Sequence, residues 1–454
     1  MPYNTHDGRF ELASPLGHVP TVEHPLVKES LDRYEQAEPD FDIELVKKLL
    51  VDPLDLPDDE RVIEWTISVD GSTHEHEIDP RFPSTRGIFL QIAGVLIDLE
   101  RFAARVGPYA DPVAIADAQT HEVKPGFLPS GNLIARSGAS AEAAFREEVY
   151  LFFSQTRLPE DGDTMLNALL ATLETSPLVA NIEYCGACSE LVALRVARTP
   201  GACPHCAATI YPTDFLRAHE AFDAHGSNLT AAGRVVAAAE HLAHVAFLLY
   251  VKSRTPTSAT VLSRGAFIVD GPLAVFGETQ KLKVPLLALW QGVCAELAVQ
   301  AIEPPLLVGI EKTGRTAEYA NALREHIPPG TLMKLPVDYI SKYIYVGSGS
   351  FGQDTYYGRK WLYHTHDRRM LVITVPPLTA GVAPYAVNER LELADYPTLR
   401  AVCALLDRVG TQLFADALIP VALAHQWAAY PLQNAGRVFR MMFDRQTPRR
   451  APVS

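Results

Sequence analysis

The sequence predicts an α/β protein with a mixed sheet flanked by helices and a small metal-binding insertion. Three observations predict it. Two apolar runs deliver an Asp-Gly pair, Ile67-Ser68-Val69-Asp70-Gly71-Ser72 and Phe267-Ile268-Val269-Asp270-Gly271-Pro272-Leu273. Short apolar strands alternate with longer segments of helical period through the second half of the chain. Between the two Asp-Gly runs lie two Cys-x-x-Cys pairs. Asp-Gly after a strand is commonly no more than a turn. A strand that stops on an acid also fixes an oxygen ligand at the rim of a sheet, as a metal-dependent site requires.

The 454 residues are enough for two or three domain-sized units, and 48% apolar content is ample for a large core. A net charge of −14 argues against a surface coated by nucleic acid, because phosphate binding needs local Lys and Arg. It leaves room for one basic groove around an acidic metal site. The opening MPYNTHDGRFEL lacks the pattern of a signal peptide, and apolar stretches such as Val245–Val251 are short for a membrane span. The expectation is a soluble cytoplasmic protein with no membrane contact. Six cysteines are too few for a disulfide scaffold in so long a chain. Cys294 and Cys403 sit in apolar helical patterns and read as packing residues.

Taken in order, residues 1–57 read as an N-terminal arm, helical through Leu45–Leu50 and ended by Pro53 and Pro57. Residues 58–178 form the first part of the core. A strand from Arg61 to Asp70 leads to a polar loop, His74–Pro80, whose His74 and His76 are either metal ligands or solvated loop residues. Gly87–Leu99 reads as a buried strand or strand pair. Ala139–Phe153, with Ser140 as a cap, and Thr164–Ser176 read as helices. Residues 216–440 form the second part: a helix over Thr230–Val251, the Asp270 strand, a helix over Leu286–Ile302, a strand over Leu306–Ile310, and a helix over Ala317–Ile327. Strands over Lys360–His364 and Met370–Val375 and helices over Leu399–Phe414 and Val421–Tyr430 follow. The tail, 441–454, is basic, as are Arg437 and Arg440 just before it, and such an end suits nucleic acid or an acidic partner. Gly347–Gly352 fits G-x-G-x-x-G but does not open a helix, so it reads as a loop rather than a dinucleotide site. No G-x4-G-K-[ST] motif occurs, so ATP hydrolysis is not expected of this chain.

The insertion, 179–215, carries the strongest local motif. Cys185 and Cys188, then Cys203 and Cys206, supply four thiolates with the spacing of a zinc ribbon. A closed four-sulfur shell leaves no open position, so this Zn2+ should be structural. His205, inside the second pair, reads as a bystander. The ribbon suits DNA contact, partner docking or dimer contact.

Phosphodiester hydrolysis needs an activated water and neutralisation of the charge building on the phosphate, which two divalent ions about 3.5–4 Å apart can provide. Mg2+ and Mn2+ prefer carboxylate oxygens. Asp70 and Asp270 are the candidate strand-borne ligands, and Glu240, which in so apolar a helix lies either on the solvent face or at the chemistry, would reach over from its helix. Glu100, Glu147 and Glu148 are possible substitutes for Glu240. His425 completes the ring as a ligand or as the group that handles the proton. Lys312, just beyond the Leu306–Ile310 strand, is placed to stabilise phosphate charge.

On these residues the sequence resembles the NurA nucleases, which work with a hexameric HerA-type translocase. The resemblance rests on Val69-Asp70-Gly71-Ser72, on Arg234 and Glu240 in one helix, on Ile268–Leu273, on Ile310–Thr313, and on Pro420 with Ala424-His425. It covers roughly residues 60–435. It implies a ribonuclease-H-like core, a homodimeric toroid with DNA in its centre, and Mn2+- or Mg2+-dependent cutting of DNA. The family's metal-binding acids fall on Asp70, Glu240 and Asp270, and its C-terminal histidine on His425. Two departures stand out: Ala417 takes the place of a family tyrosine, and the zinc ribbon is not general to the family. The first motivates an alternative, a catalytically inactive DNA-binding or adaptor subunit for the HerA-like ATPase. A third reading is a zinc-ribbon enzyme or scaffold in which the Asp-Gly pairs are only turns. The second departure suggests a specialised branch, in DNA end processing or antiphage defence.

Overall fold

The computed structural model describes residues 16–35, 41–79, 84–105, 112–254, 257–346, 351–385, 391–410, 418–430 and 441–442. Two compact units are present, Met1–Asp42 and Ile43–Ser454. The first holds two short helices, α1 (Val19–Glu23) and α2 (Pro25–Leu31), where His24 caps α2 by accepting from the Leu26 N–H at 3.2 Å.

The second unit begins with α3 (Ile43–Leu49) and a two-residue strand, β1 (Leu50–Val51). A meander follows: β2 (Trp65–Asp79), β3 (Thr85–Asp98) and, after the short helices α4 (Leu99–Arg105) and α5 (Pro112–Ala118), β4 (Gln119–Pro129). Helices α6 (Ala141–Gln155) and α7 (Met165–Glu174) are capped by Ser140 and Thr164, whose hydroxyls accept from the N–H groups of Ala143 and Asn167. The insertion carries two antiparallel pairs, β5 (Asn181–Tyr184) with β6 (Leu191–Arg195) and β7 (Gly201–Ala202) with β8 (Thr209–Ile210). Then come α8 (Leu229–Arg254), α9 (Ser258–Ser263), β9 (Gly265–Asp270), α10 (Lys283–Val299), β10 (Leu306–Glu311) and α11 (Arg315–Ala322). The chain continues through β11 (Thr331–Lys334), α12 (Val337–Tyr339), β12 (Arg359–His364), β13 (Met370–Val375), α13 (Leu399–Arg408) and α14 (Ile419–Ala428).

One mixed nine-stranded sheet orders these strands β1-β11-β12-β13-β10-β9-β2-β3-β4. Within it, β2, β9 and β10 are parallel neighbours, and β3 is antiparallel to both β2 and β4. The five strands β4-β3-β2-β9-β10 are thus a hairpin meander joined to two parallel strands by helical crossovers, the ribonuclease-H-like core the motifs imply. The sheet has apolar layers on both faces. One is built with α6, α7, α8 and α10, the other with α4, α13 and α14. This explains why Gly265–Val269 and Leu306–Ile310 are buried without alternation.

Two sequence expectations change, and one strand had no expectation. The strand read as Arg61–Asp70 runs on to Asp79, so His74–Asp79 is strand rather than loop. Residues 119–129 form a sheet strand that no alternation announced, and Leu50 belongs to a strand rather than to the helix before it. Two segments, Leu229–Arg254 and Gly277–Val299, are long and apolar enough to cross a membrane by length and composition alone. Both are mostly buried against the sheet, as core helices are. Residues 411–417, with Ala417, the Gly347–Ser350 part of the glycine motif, and the tail arginines lie outside the described residues.

Candidate metal-dependent active site

Val69 and Val269 are paired across the parallel strands β2 and β9. Both point into the α8 layer, where they are 1% and 3% exposed. Strand alternation then turns the next residue of each strand, Asp70 and Asp270, to the opposite face, side by side. Here the two strands part. Asp270 is the last residue of β9, and Gly271, at φ +122°, turns away so that its N–H meets the Ile310 carbonyl at 2.8 Å. β2 continues, paired only with β3. The acid on β2 therefore does not end its strand, as its Asp-Gly suggested; it marks where the parallel pairing ends.

α14 lies across this face with Ala424 and Ala428 buried beneath it. Its His425 places Nδ1 2.9 Å from Asp70 Oδ2. Ligand atoms of Asp70, Asp270 and His425 all lie within 4.8 Å of one another. Lys312, just past β10, places Nζ 2.9 Å from Asp270 Oδ2. The two acids are mostly enclosed, with side chains 14% and 19% exposed, whereas His425 is 68% exposed at the mouth.

Glu240 arrives from the other layer. Its helix, α8, packs under Gly71, and a Cβ at Gly71 would sit 2.5 Å from Val236 Cγ1 and 2.8 Å from Glu240 Oε1. The missing side chain and the parting of β2 from β9 let a carboxylate from the opposite layer approach the pair. Burial, then the charges of Asp70 and Asp270, hold the Glu240 carboxyl well above the usual range, against the Gly71 backbone N–H. Burial and then Asp270 likewise raise Asp70, against hydrogen bonds from His425 and from the Gly71 N–H at 2.8 Å. Glu240 is not among the ligand atoms that gather within 4.8 Å, which are those of Asp70, Asp270 and His425. It stands behind them, so that three carboxyls near one lysine and one exposed histidine leave the region short of positive charge. Hard oxygen donors with one imidazole are the donor set that Mg2+ or Mn2+ accepts.

The sulfur cluster is separate. Cys185 and Cys206 Sγ are 3.8 Å apart, as are those of Cys188 and Cys203, and all four lie within 4.8 Å of one another. A tetrahedral four-thiolate site with metal–sulfur bonds of about 2.3 Å has sulfur–sulfur edges of about 3.8 Å. The two knuckles share one geometry. In each, the N–H two residues on meets the first sulfur at 3.4 Å, and Ser189 and Ala207 take the left-handed conformation at φ 60° and 59°. His205 turns away, its Nε2 3.2 Å from the Leu191 carbonyl.

Other candidates are placed elsewhere. His74 and His76 stack on each other along β2, with His74 beside Tyr430. Glu100 is exposed on α4, and Glu148 lines a cleft with Lys124 and Arg157. Arg234 pairs with Glu278 at 3.0 Å rather than entering the acidic site. Glu311, beside Lys312, meets Lys360 Nζ at 2.7 Å among the rings of Tyr345, Phe351 and Tyr356. That buried lysine gave no sequence signal, because it lies within an apolar strand pattern.

No family model and no curated protein matches the chain. Among solved structures it is similar to the NurA nuclease from Sulfolobus solfataricus, with 9% identity and a TM-score of 0.34 over 95% of this chain and 97% of that one. It is also similar to a second structure described as NurA, with 9% identity and a TM-score of 0.31 over 96% of this chain and 99% of that one.

Proposed function

We propose that this protein is a divalent-metal-dependent DNA nuclease. The observation that carries the reading is the meeting of Asp70, Asp270 and His425 within 4.8 Å, with Glu240 electrostatically coupled to both aspartates. Asp70, Glu240 and Asp270 would hold Mn2+ or Mg2+, which supplies Lewis-acid polarisation of a phosphoryl oxygen and a water acidic enough to attack near neutral pH. The chain's own residues do the rest. Asp70 and Asp270, fixed by parallel strands, orient the ligand set with little reorganisation. Lys312 at the rim brings an ammonium to the position where phosphate charge builds. His425, exposed and oriented through Nδ1 by Asp70, serves as a further ligand or handles the proton at the mouth. Cys185, Cys188, Cys203 and Cys206 hold a structural Zn2+, which takes no part in the chemistry.

The motif resemblance further suggests a cytoplasmic homodimer working on DNA with a HerA-like ATPase, in end processing or antiphage defence. The division read from the sequence stays a proposal: an arm, 1–57, whose residues from Ile43 on belong to the larger compact unit, a two-part core, 58–178 and 216–440, the ribbon, 179–215, and a basic tail, 441–454. The inactive-adaptor alternative rests on Ala417, which is outside the described residues, and the convergence of acids favours catalysis.

The test is cleavage of linear DNA by the full chain with and without Mn2+ or Mg2+. Asp70→Ala and Asp270→Ala should each abolish cutting while circular dichroism and zinc content stay unchanged. Cutting by both variants at the parent rate would remove this site from consideration.

A further inference from the structure

We propose that Ser72 and Gln91 form a clamp that positions His425, an inference that rests on the metal site proposed above. The two residues are directly opposed on β2 and β3. Ser72 stands two residues beyond Asp70, so both clamp side chains share the face from which Asp70 projects. The target is the C-terminus of α14. Helix ends leave carbonyls without partners, and a glycine in the left-handed conformation commonly satisfies them. α14 lacks that device: Ala429 is extended, at φ −71° and ψ 136°, and its N–H bonds the His425 carbonyl. The sheet supplies the missing donors instead. Gln91 Nε2 donates to the Trp427 carbonyl at 3.3 Å and to that of Ala428, and the Ser72 hydroxyl donates to Ala428 as well.

The spacing ties this clamp to the site. Asp70 and Ser72 are about 6.8 Å apart along a strand, and His425 and Ala428 about 4.5 Å apart along a helix axis. One stretch of β2 thus holds the imidazole of His425 at one point and the end of its helix at the next. The other end of α14 is tied by the Ile419 N–H to the Val409 carbonyl at 2.9 Å. With its side chain 68% exposed, His425 has little packing of its own. Beyond its bond to Asp70, its place is set by the helix that carries it, and the end of that helix is held by Ser72 and Gln91 together with the stack of Trp427 on His121. Both are positioning residues, acting through His425.

A double-mutant cycle on the full chain separates this role from ordinary helix docking. Mn2+ affinity is measured by titration calorimetry, and DNA cleavage is followed in parallel, for Gln91→Met, Ser72→Ala and each combined with His425→Ala. Gln91→Met keeps the volume and removes the donor. Outer residues that orient a ligand typically alter metal affinity or activity by about 10–100-fold. With His425 as a ligand, which the clamp proposal takes from the two roles above, the expected result is a roughly tenfold weaker Mn2+ affinity and a matching fall in kcat for each single variant, with KM for DNA unchanged. In the His425→Ala background the same changes should have no effect, and Ser72→Thr should behave as the parent. Equal losses in both backgrounds, or no loss in either, overturn the clamp. If Gln91→Met does not fold, Ser72→Ala reads the same coupling. Mn2+ binding without cleavage would defeat the nuclease reading while leaving the clamp to be judged by the calorimetric cycle. A parent that binds no Mn2+ defeats both.

Discussion

Gly71 has no side chain at the point where Glu240 comes through. A Cβ there would lie 2.8 Å from Glu240 Oε1, 2.5 Å from Val236 Cγ1 and 2.7 Å from Ile92 Cδ1. The glycine of this Asp-Gly pair is thus required by close approach of a helix, not by a turn. Gly71→Ala should displace α8 from β2, destabilise the fold by about 1–3 kcal/mol as overpacking does, and lower cleavage well beyond what that loss of stability explains. Urea unfolding and cleavage rate measured together check this. Adding Val236→Ala should recover part of the stability and less of the activity, because Glu240 remains pushed aside.

Lys312 occupies the oxygen of Asp270 that a metal ion would seek, at 2.9 Å. Replacing it with methionine removes a competing cation and a source of charge neutralisation at once. Lys312→Met should therefore bind Mn2+ at least as tightly as the parent while its cleavage falls by about 10²–10³-fold, the range for losing one charge-stabilising donor. Calorimetry and single-turnover cleavage give the two numbers. A parallel loss of binding and cleavage would instead make Lys312 a structural support of Asp270.

The sulfur cluster predicts one zinc per chain, read by elemental analysis, and none in Cys188→Ser. Cys185 and Cys203 are buried in the same apolar cluster as Val235 and Leu242 of α8, so the ribbon is continuous with the core. Loss of the metal should lower the whole unfolding midpoint rather than create a separate early transition. Brief EDTA treatment should stop cleavage before it removes this zinc, and added Mn2+ should restore it.

The sequence made some of this plain and hid the rest. Cysteine spacing alone pointed to the four thiols that the fold gathers into one cluster, because thiolate chemistry leaves few other uses for that pattern. Asp70 and Asp270 were legible as apolar runs delivering acids, but their alignment was not, since it depends on which strands pair. The reading of His74–Asp79 as loop failed because polar residues there face a partly open part of the sheet, where strand pairing rather than apolar alternation decides the structure. β4 was missed for a related reason: Gln119–Lys124 is polar, and its ladder with β3 supplies the order. Ser72 and Gln91 carry no signal in the chain, because a helix-capping donor borrowed from a strand is visible only after folding.

Acid should weaken this fold through α8, and the sign can be worked out. His241 is buried, its Nε2 3.0 Å from the Ala274 carbonyl and its Nδ1 3.0 Å from the Tyr357 hydroxyl. Burial pushes its pKa down to about 4, and does the same for His244, against an unfolded value near 6.5. A histidine lowered on folding contributes nothing adverse above pH 6.5. As pH falls from 6.5 to about 4 the unfolded chain takes up a proton that the folded chain refuses, and stability is lost. At pH 5 the loss is about 2 kcal/mol for each histidine. The raised carboxyls of Asp70 and Glu240 act in the opposite direction, since the folded, metal-free chain holds protons that the unfolded chain releases. Comparison with His241→Gln isolates the histidine. Urea unfolding at pH 7.5 and pH 5 should show the variant losing about 2 kcal/mol less than the parent on acidification. An identical loss in both would mean that His241 takes up its proton equally readily in the folded and the unfolded chain.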